Sequence, residues 1–328
     1  MRSQTYLFIA VLLILSLIFS QCQQKKKEVQ PEVYEALPAF DVDSAFHFLK
    51  KQTDFGPRVP NTDAHDSCAH YLYTILTQFC DSTARQSFTV KAYNGTLLKG
   101  ENIIGIFNPE CERRVVLCSH WDSRHVADHD PIEANRNTPI DGANDGASGV
   151  AVLLEVARQL QIKAPQIGID IVFFDVEDYG APEWENAPEG EWWGLGSQYW
   201  AKHPHKDNYK AEYGILLDMV GAADAQFRYE YFSAKYAQDI LTKVWTAAYK
   251  IGHKHYFVPQ KSHPITDDHY YVNTLSSIRM IDIIHQDDTY GTGFYHTWHT
   301  LSDNIENIDK KTLGVVGTTL LYVIYNEK

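Results

Sequence analysis

Two carboxylates stand side by side in FFDVED (173–178), Glu177 and Asp178, directly after the apolar run GIDIVFF. Neighbouring like charges at the mouth of a buried strand cost both repulsion and desolvation. The segment has therefore reached water, or it faces something positive. Other acids and imidazoles fall at comparable places. RRVVLCSH ends in His120, with Asp122 two residues on. GILLDMVG carries Asp218, and the loop DGANDGASG offers Asp141 and Asp145 ahead of an apolar helix. FYHTWHTLSDNIENID holds His296 and His299, which spacing does not rank. Asp, Glu and His without a thiolate cluster suit zinc or another borderline divalent ion. A cation would also remove the repulsion at FFDVED. Consecutive residues of an extended segment point to opposite sides, so one carboxylate can face the metal while its neighbour acts as general acid/base. One histidine with two carboxylates leaves the fourth tetrahedral position open, as a catalytic zinc needs. Each residue alone has an ordinary reading: Asp145 as a helix cap, Glu177 and Asp178 as a solvated turn. Four separate segments bringing such residues to strand ends are harder to dismiss.

The elements that must position these residues alternate along the chain. Helical patterns run over 41–51, with Asp41 as a cap, and over 63–79, with Ala69, Leu72, Ile75, Leu76 and Phe79 at helical spacing. Strand-like runs follow at 85–93 and 99–109, joined across an Asn94-Gly95 turn. Then come a strand at 113–120, a helix over 150–160, a strand at 168–178, a Trp/Pro/Gly-rich excursion, a helix at 196–203 and a strand at 213–221. A helix over 234–250, a strand at 277–284 and a closing helix over 309–325 complete the series. Apolar strands without clean alternation, separated by helices, imply a mostly parallel sheet covered on both faces. The first hairpin makes it mixed. The expected fold is α/β, a single domain over 39–328. In open α/β sheets, ligands bind at the carboxyl ends of strands, where the polar residues collect.

Bulk properties narrow the function. The chain has 328 residues and a formal net charge of −13. An acidic surface repels phosphate backbones and speaks against nucleic-acid binding. Residues 1–22 read as an export signal: Arg2, an apolar run from Tyr6 to Phe19, then Cys22 in FSQC. The pattern resembles a bacterial lipoprotein signal, although Gln21 stands where a small residue is usual. Cys22 is then the candidate lipidated residue, 23–38 a polar tether, and the location periplasmic at a membrane. The alternative is a secretory signal cut elsewhere. Cys68, Cys80, Cys111 and Cys118 permit two disulfides or buried free thiols, and sequence does not choose.

With these residues assembled, HWD, DGANDGASG, FFDVED, LLDMVG and WHT follow in order the motifs of zinc exopeptidases with a phosphorylase/hydrolase-like fold. Within that group the chain most resembles glutaminyl cyclases, through SHWDSR, GSQYW after a Trp-rich loop, ITDDHYYV and TWHT with DNIENID behind it. The resemblance covers about Asp41 to the C-terminus. It implies one zinc held by Asp145, Asp178 and His299, Glu177 as acid/base, and Asp218 and Asp267 as buried acids beside it. It implies Trp298, with Trp193, as walls of a pocket for the N-terminal glutamine of a peptide or protein. Many relatives have Glu in place of Asp178, and the paired cysteines of some cyclases are replaced here by Ser119 and Val150.

Three functions follow in order. The first is cyclisation of N-terminal glutamine to pyroglutamate with release of ammonia. The second is an aminopeptidase, with His120, Asp145, Asp178, Asp218 and His299 holding two zinc ions and Glu177 activating water. The third is a non-enzymatic envelope lipoprotein, which would be expected to lose rim acids that are all still present.

Overall fold

The computed structural model describes residues 37–327. The expected signal segment, Cys22 and nearly all of the tether lie outside the described residues. From Leu37 the chain forms one compact unit.

Three helices precede or cross the centre of the fold. α1 (Val42–Thr53) starts at Asp41, whose carboxylate accepts the N–H groups of Asp43 and Ser44 as expected of a cap. α2 (Asp63–Phe79) is capped by Thr62. α3 (Ala147–Ile162) is apolar almost all round and is correspondingly buried on nearly every side. β1 (Ser82–Lys91) and β2 (Leu97–Phe107) form the expected hairpin, with Gly95 at φ +87° in its turn. β3 (Arg114–His120), β4 (Gly168–Phe174) and β5 (Tyr213–Asp218) are buried at every residue. That is why their sequences read as continuous apolar runs. α4 (Leu195–Lys202) lies between β4 and β5 in sequence. β6 (Phe227–Tyr229), α5 (Tyr231–Lys250), β7 (Phe257–Lys261), α6 (Asp268–Leu275), β8 (Met280–Ile284) and α7 (Lys310–Tyr325) complete the fold.

The main sheet has the order β1-β2-β4-β3-β5-β8. β1–β2 and β2–β4 are antiparallel; β4–β3, β3–β5 and β5–β8 are parallel. This is the mixed, mostly parallel sheet expected. Alternate residues serve opposite faces: Val115 and Leu117 join the larger core with α3, while Val116 and Cys118 join a smaller one with Trp200 of α4 and Val272 of α6. At the start of β3, buried Arg114 pairs with Asp170 at 2.6 and 2.7 Å, and Tyr209 Oη donates to the same carboxylate. The consequence for function is geometric. Four parallel strands bring their carboxyl ends to one rim.

Sequence reasoning missed α6 and the small parallel β6–β7 sheet. Both are short, and β7 carries a proline and is largely exposed, so neither leaves a periodic signal. All four cysteines among the described residues are free. Among the described residues, no helix is long and apolar enough to cross a membrane.

Candidate metal and acid–base site

The turn after β4 answers the question raised by FFDVED. β4 stops at Phe174, and Val176 adopts the left-handed conformation, φ +56°. Asp175 accepts the N–H groups of Val176 (2.8 Å) and Glu101 (2.6 Å) and lies 2.9 Å from His65 Nε2. The backbone N–H groups of Glu177 and Asp178 donate to the two oxygens of buried Asp122, both at 3.1 Å. The expectation of an extended segment with opposite-facing carboxylates is therefore corrected. The segment is a tight turn clamped by Asp175 and Asp122, and Glu177 and Asp178 both line one cavity.

Asp145 reaches the same cavity from the loop ahead of α3. Asp303 holds that loop by accepting the N–H groups of Asn144 (2.8 Å) and Asp145 (3.1 Å). Arg58 donates to the carbonyls of Asp141 and Gly142. The loop passes so close to His120 that a Cβ at Gly146 would sit 2.5 Å from its ring and carbonyl. Only glycine allows that approach. Asp141 itself is exposed and stays out of the cavity.

His299 is the histidine that arrives. It is buried while His296 is exposed, and it sits at φ +54°. Its Nδ1 lies 2.9 Å from Asp128, and its ring stacks on Trp298 with centroids 3.7 Å apart. Its Nε2 is 3.4 Å from Asp178 and 3.7 Å from Asp145. Donor atoms of Asp145, Asp178 and His299 all fall within 4.8 Å of one another. Asp178 Oδ2 is buried without a hydrogen-bond partner, a costly state that a cation relieves. Two carboxylates, one imidazole oriented by a second carboxylate, and an orphaned buried oxygen fit zinc.

A second constellation adjoins the first. His120 Nε2 lies 3.0 Å from Asp145 and 3.2 Å from Asp218, so His120, Asp145 and Asp218 also converge. Burial pushes Glu177 well above the ordinary carboxylate range, and it raises Asp218 to about 7 and lifts Asp267 as well. Burial also opposes the charge on Asp145, but the hydrogen bond and charge of His120, together with the charges of His299 and Arg124, outweigh it and leave Asp145 lowered. Neighbouring acids held at different affinities for protons are the usual makings of acid/base work.

The cavity measures about 250 Å³ and is walled by Trp193, Trp298, Phe294, Ile265 and Ile284, with Asp145, Glu177, Asp178, Asp218, Asp267 and His299 as its polar face. Asp267 caps α6, accepting the N–H of Asp268. The residues that the cyclase resemblance implies, Asp145, Glu177, Asp178, Trp193, Asp218, Asp267, Trp298 and His299, all line this one cavity. Sequence reasoning did not assign Arg124 and Asp128. Buried Arg124 grips Asp128 at 2.8 and 2.5 Å, donates to the Asp178 carbonyl at 3.2 Å, and stacks on Trp193 at 4.7 Å. Arg124 was visible within SHWDSR, but Asp178 and Trp193, which it also touches, are distant in sequence.

The family model for peptidase family M28 matches residues 102–324. The chain belongs to peptidase family M28. Among solved structures, a Zn-dependent exopeptidase from Parabacteroides distasonis is 51% identical, with TM-score 0.88, covering 89% of this chain and all of that one. The glutaminyl cyclase of Tannerella forsythia is 53% identical, with TM-score 0.87 and the same coverage. A glutaminyl-peptide cyclotransferase of Gloydius blomhoffii is 28% identical over 240 residues, 65% of this chain. The M28 chain described here spans 61% of that curated relative's length. The exopeptidase relative implies zinc for this family member, in agreement with the donor set.

Proposed function

We propose that this M28 protein is a glutaminyl-peptide cyclotransferase. It closes the N-terminal glutamine of a peptide or protein into pyroglutamate and releases ammonia. The observation that carries the reading is the clamp on the FFDVED turn. It sets a buried acid/base, Glu177, beside a metal-type donor, Asp178, in a cavity of about 250 Å³. The 53% identity to a glutaminyl cyclase over 89% of the chain supports the choice of substrate.

Asp145, Asp178 and His299 would hold one zinc ion, which when bound supplies Lewis-acid polarisation of the substrate γ-carbonyl. Trp193 and Trp298 wall the pocket and exclude water from the glutamine side chain. The substrate's α-amine nitrogen bonds to the side-chain carbonyl carbon, Cδ, and the bond from that carbon to the amide nitrogen breaks. Glu177 takes a proton from the attacking amine at its carboxylate and returns it to the departing nitrogen, which leaves as ammonia. Asp218 and Asp267 accept hydrogen bonds from the amide nitrogen. The pocket holds amine and carbonyl of one residue together, so closure is intramolecular and needs no second substrate.

A second reading has its own observation. The His120–Asp145–Asp218 group would hold a second zinc, as in a dinuclear aminopeptidase, and one close relative is described as a Zn-dependent exopeptidase. One experiment separates the two. The zinc-loaded protein is incubated with a Gln-initiated dipeptide and with an unblocked aminoacyl arylamide. Ammonia from the first without arylamine from the second is expected; the reverse pattern rejects the cyclase. Export and anchoring through Cys22 belong to the same proposal. Cys22→Ser should release the protein from the membrane fraction.

A further inference from the structure

Behind Asp267, away from the cavity, four carboxyl groups and one imidazole are packed together. Asp267, Asp268 and His269 come from the start of α6, Asp282 from β8, and Glu230 from the cap of α5; all are buried. Glu230 is well satisfied. It accepts the N–H groups of Phe232, Ser233 and Ile265 and lies 2.9 Å from His269 Nε2. Asp282 is not. Neither of its oxygens has a hydrogen-bond donor, and Asp267 Oδ2 has none either. Donor-type atoms of Asp267, His269 and Asp282 nevertheless lie within 4.8 Å of one another.

A buried carboxylate without a donor is costly, and two adjacent ones cannot both ionise. The imidazole does not resolve this. His269 Nε2 faces Glu230 and carries its proton there, so in the neutral ring Nδ1 is an acceptor. Nδ1 is in any case 3.7 Å from Asp282, beyond a hydrogen bond. The charged and titratable groups facing Asp282 are Asp267 and His269 from α6, Asp218 from β5 and Glu230 from α5. Three of these four are acids. One proton held between two carboxyls satisfies both, as in other buried acid pairs.

We propose that Asp282 is a positioning residue of the active site, sharing one proton with Asp267 and so fixing the Asp267 carboxyl in the cavity wall. This rests on the cyclase reading for its consequence, because Asp267 faces the reacting amide. Asp282 itself does not line the cavity and touches no substrate.

The test compares wild type with Asp282→Asn and Asp282→Leu, all zinc-loaded, on a Gln-initiated dipeptide. An asparagine can still donate a hydrogen bond to Asp267; a leucine cannot. Asp282→Leu should lower kcat at least about ten-fold, with KM and zinc content within about three-fold of wild type. Asp282→Asn should recover kcat to within about five-fold. The infrared difference spectrum, wild type minus Asp282→Asn, should show a protonated-carboxyl band, the one lost with the shared proton. That arm needs only folded protein, so it decides the matter even where Asp282→Leu does not fold. The proposal is overturned by a difference spectrum that holds no such band, or by wild-type kcat in folded Asp282→Leu. It is equally overturned by an extra equivalent of divalent metal that Asp282→Asn loses, since a cation would then stand in place of the proton. A wild type that releases no ammonia rejects the cyclase function, and the infrared band still judges the shared proton.

Discussion

Glu177 and Asp178 are adjacent, yet the structure divides their work. Asp178 brings a carboxylate oxygen within 4.8 Å of ligand atoms of Asp145 and His299 and leaves its Oδ2 unpartnered, whereas Glu177 is raised in proton affinity by burial. Glu177→Gln should therefore keep its zinc and lose kcat by about 10²- to 10⁴-fold, the usual worth of a positioned acid/base. Asp178→Ala should lose the metal itself. Metal analysis alongside turnover distinguishes the two, and near-wild-type turnover in Glu177→Gln would remove it from the mechanism. Asp128 acts one step further out. It sits 2.9 Å from His299 Nδ1 and is gripped by Arg124, an arrangement that fixes the ring and its tautomer. Asp128→Ala should weaken zinc binding about 10- to 100-fold with the ligand set intact, measured by competition with a chelating dye.

At the level of elements, the site depends on how turns are pinned to strands. The FFDVED turn is held from below by Asp175, which pairs with buried His65 of α2 at 2.9 Å. Burial alone would drive the His65 imidazolium down, but the Asp175 carboxylate more than reverses this and raises it to about 9. An unfolded histidine titrates near 6.5. The folded state therefore holds the proton more tightly, and its stabilisation is complete below about pH 6.5 and is lost as pH rises through about 9. Denaturant midpoints should fall across that window, and His65→Gln should flatten the fall. An unchanged slope in the variant would show that His65 does not carry the effect. Patterning revealed the strands and long helices because they are buried on both faces or on a wide stripe. It did not reveal the bend at Val176, whose left-handed backbone is held by backbone N–H groups donating to Asp122 and Asp175 rather than by a glycine.

For the whole molecule, the proposed zinc ligands come from three loops spread over 155 positions, Asp145 to His299, and they meet only in the folded chain. A ligand that binds the folded state alone stabilises it by mass action, about 2.7 kcal/mol at a hundred times its dissociation constant. Removing metal with a chelator should lower Tm, and adding zinc back should restore it in a concentration-dependent way. Asp178→Ala should show neither response. The chain's own residues determined the α/β alternation, the apolar runs of the parallel strands, and the presence of acids and imidazoles where those strands end. These are local properties, carried by composition and period. Which histidine arrives, that Glu177 and Asp178 share a cavity, that Arg124 and Asp128 brace the site, and that Asp282 stands behind Asp267 were decided only by tertiary structure. Those facts depend on how separate turns and elements meet in the folded chain, and no local pattern encodes such a meeting.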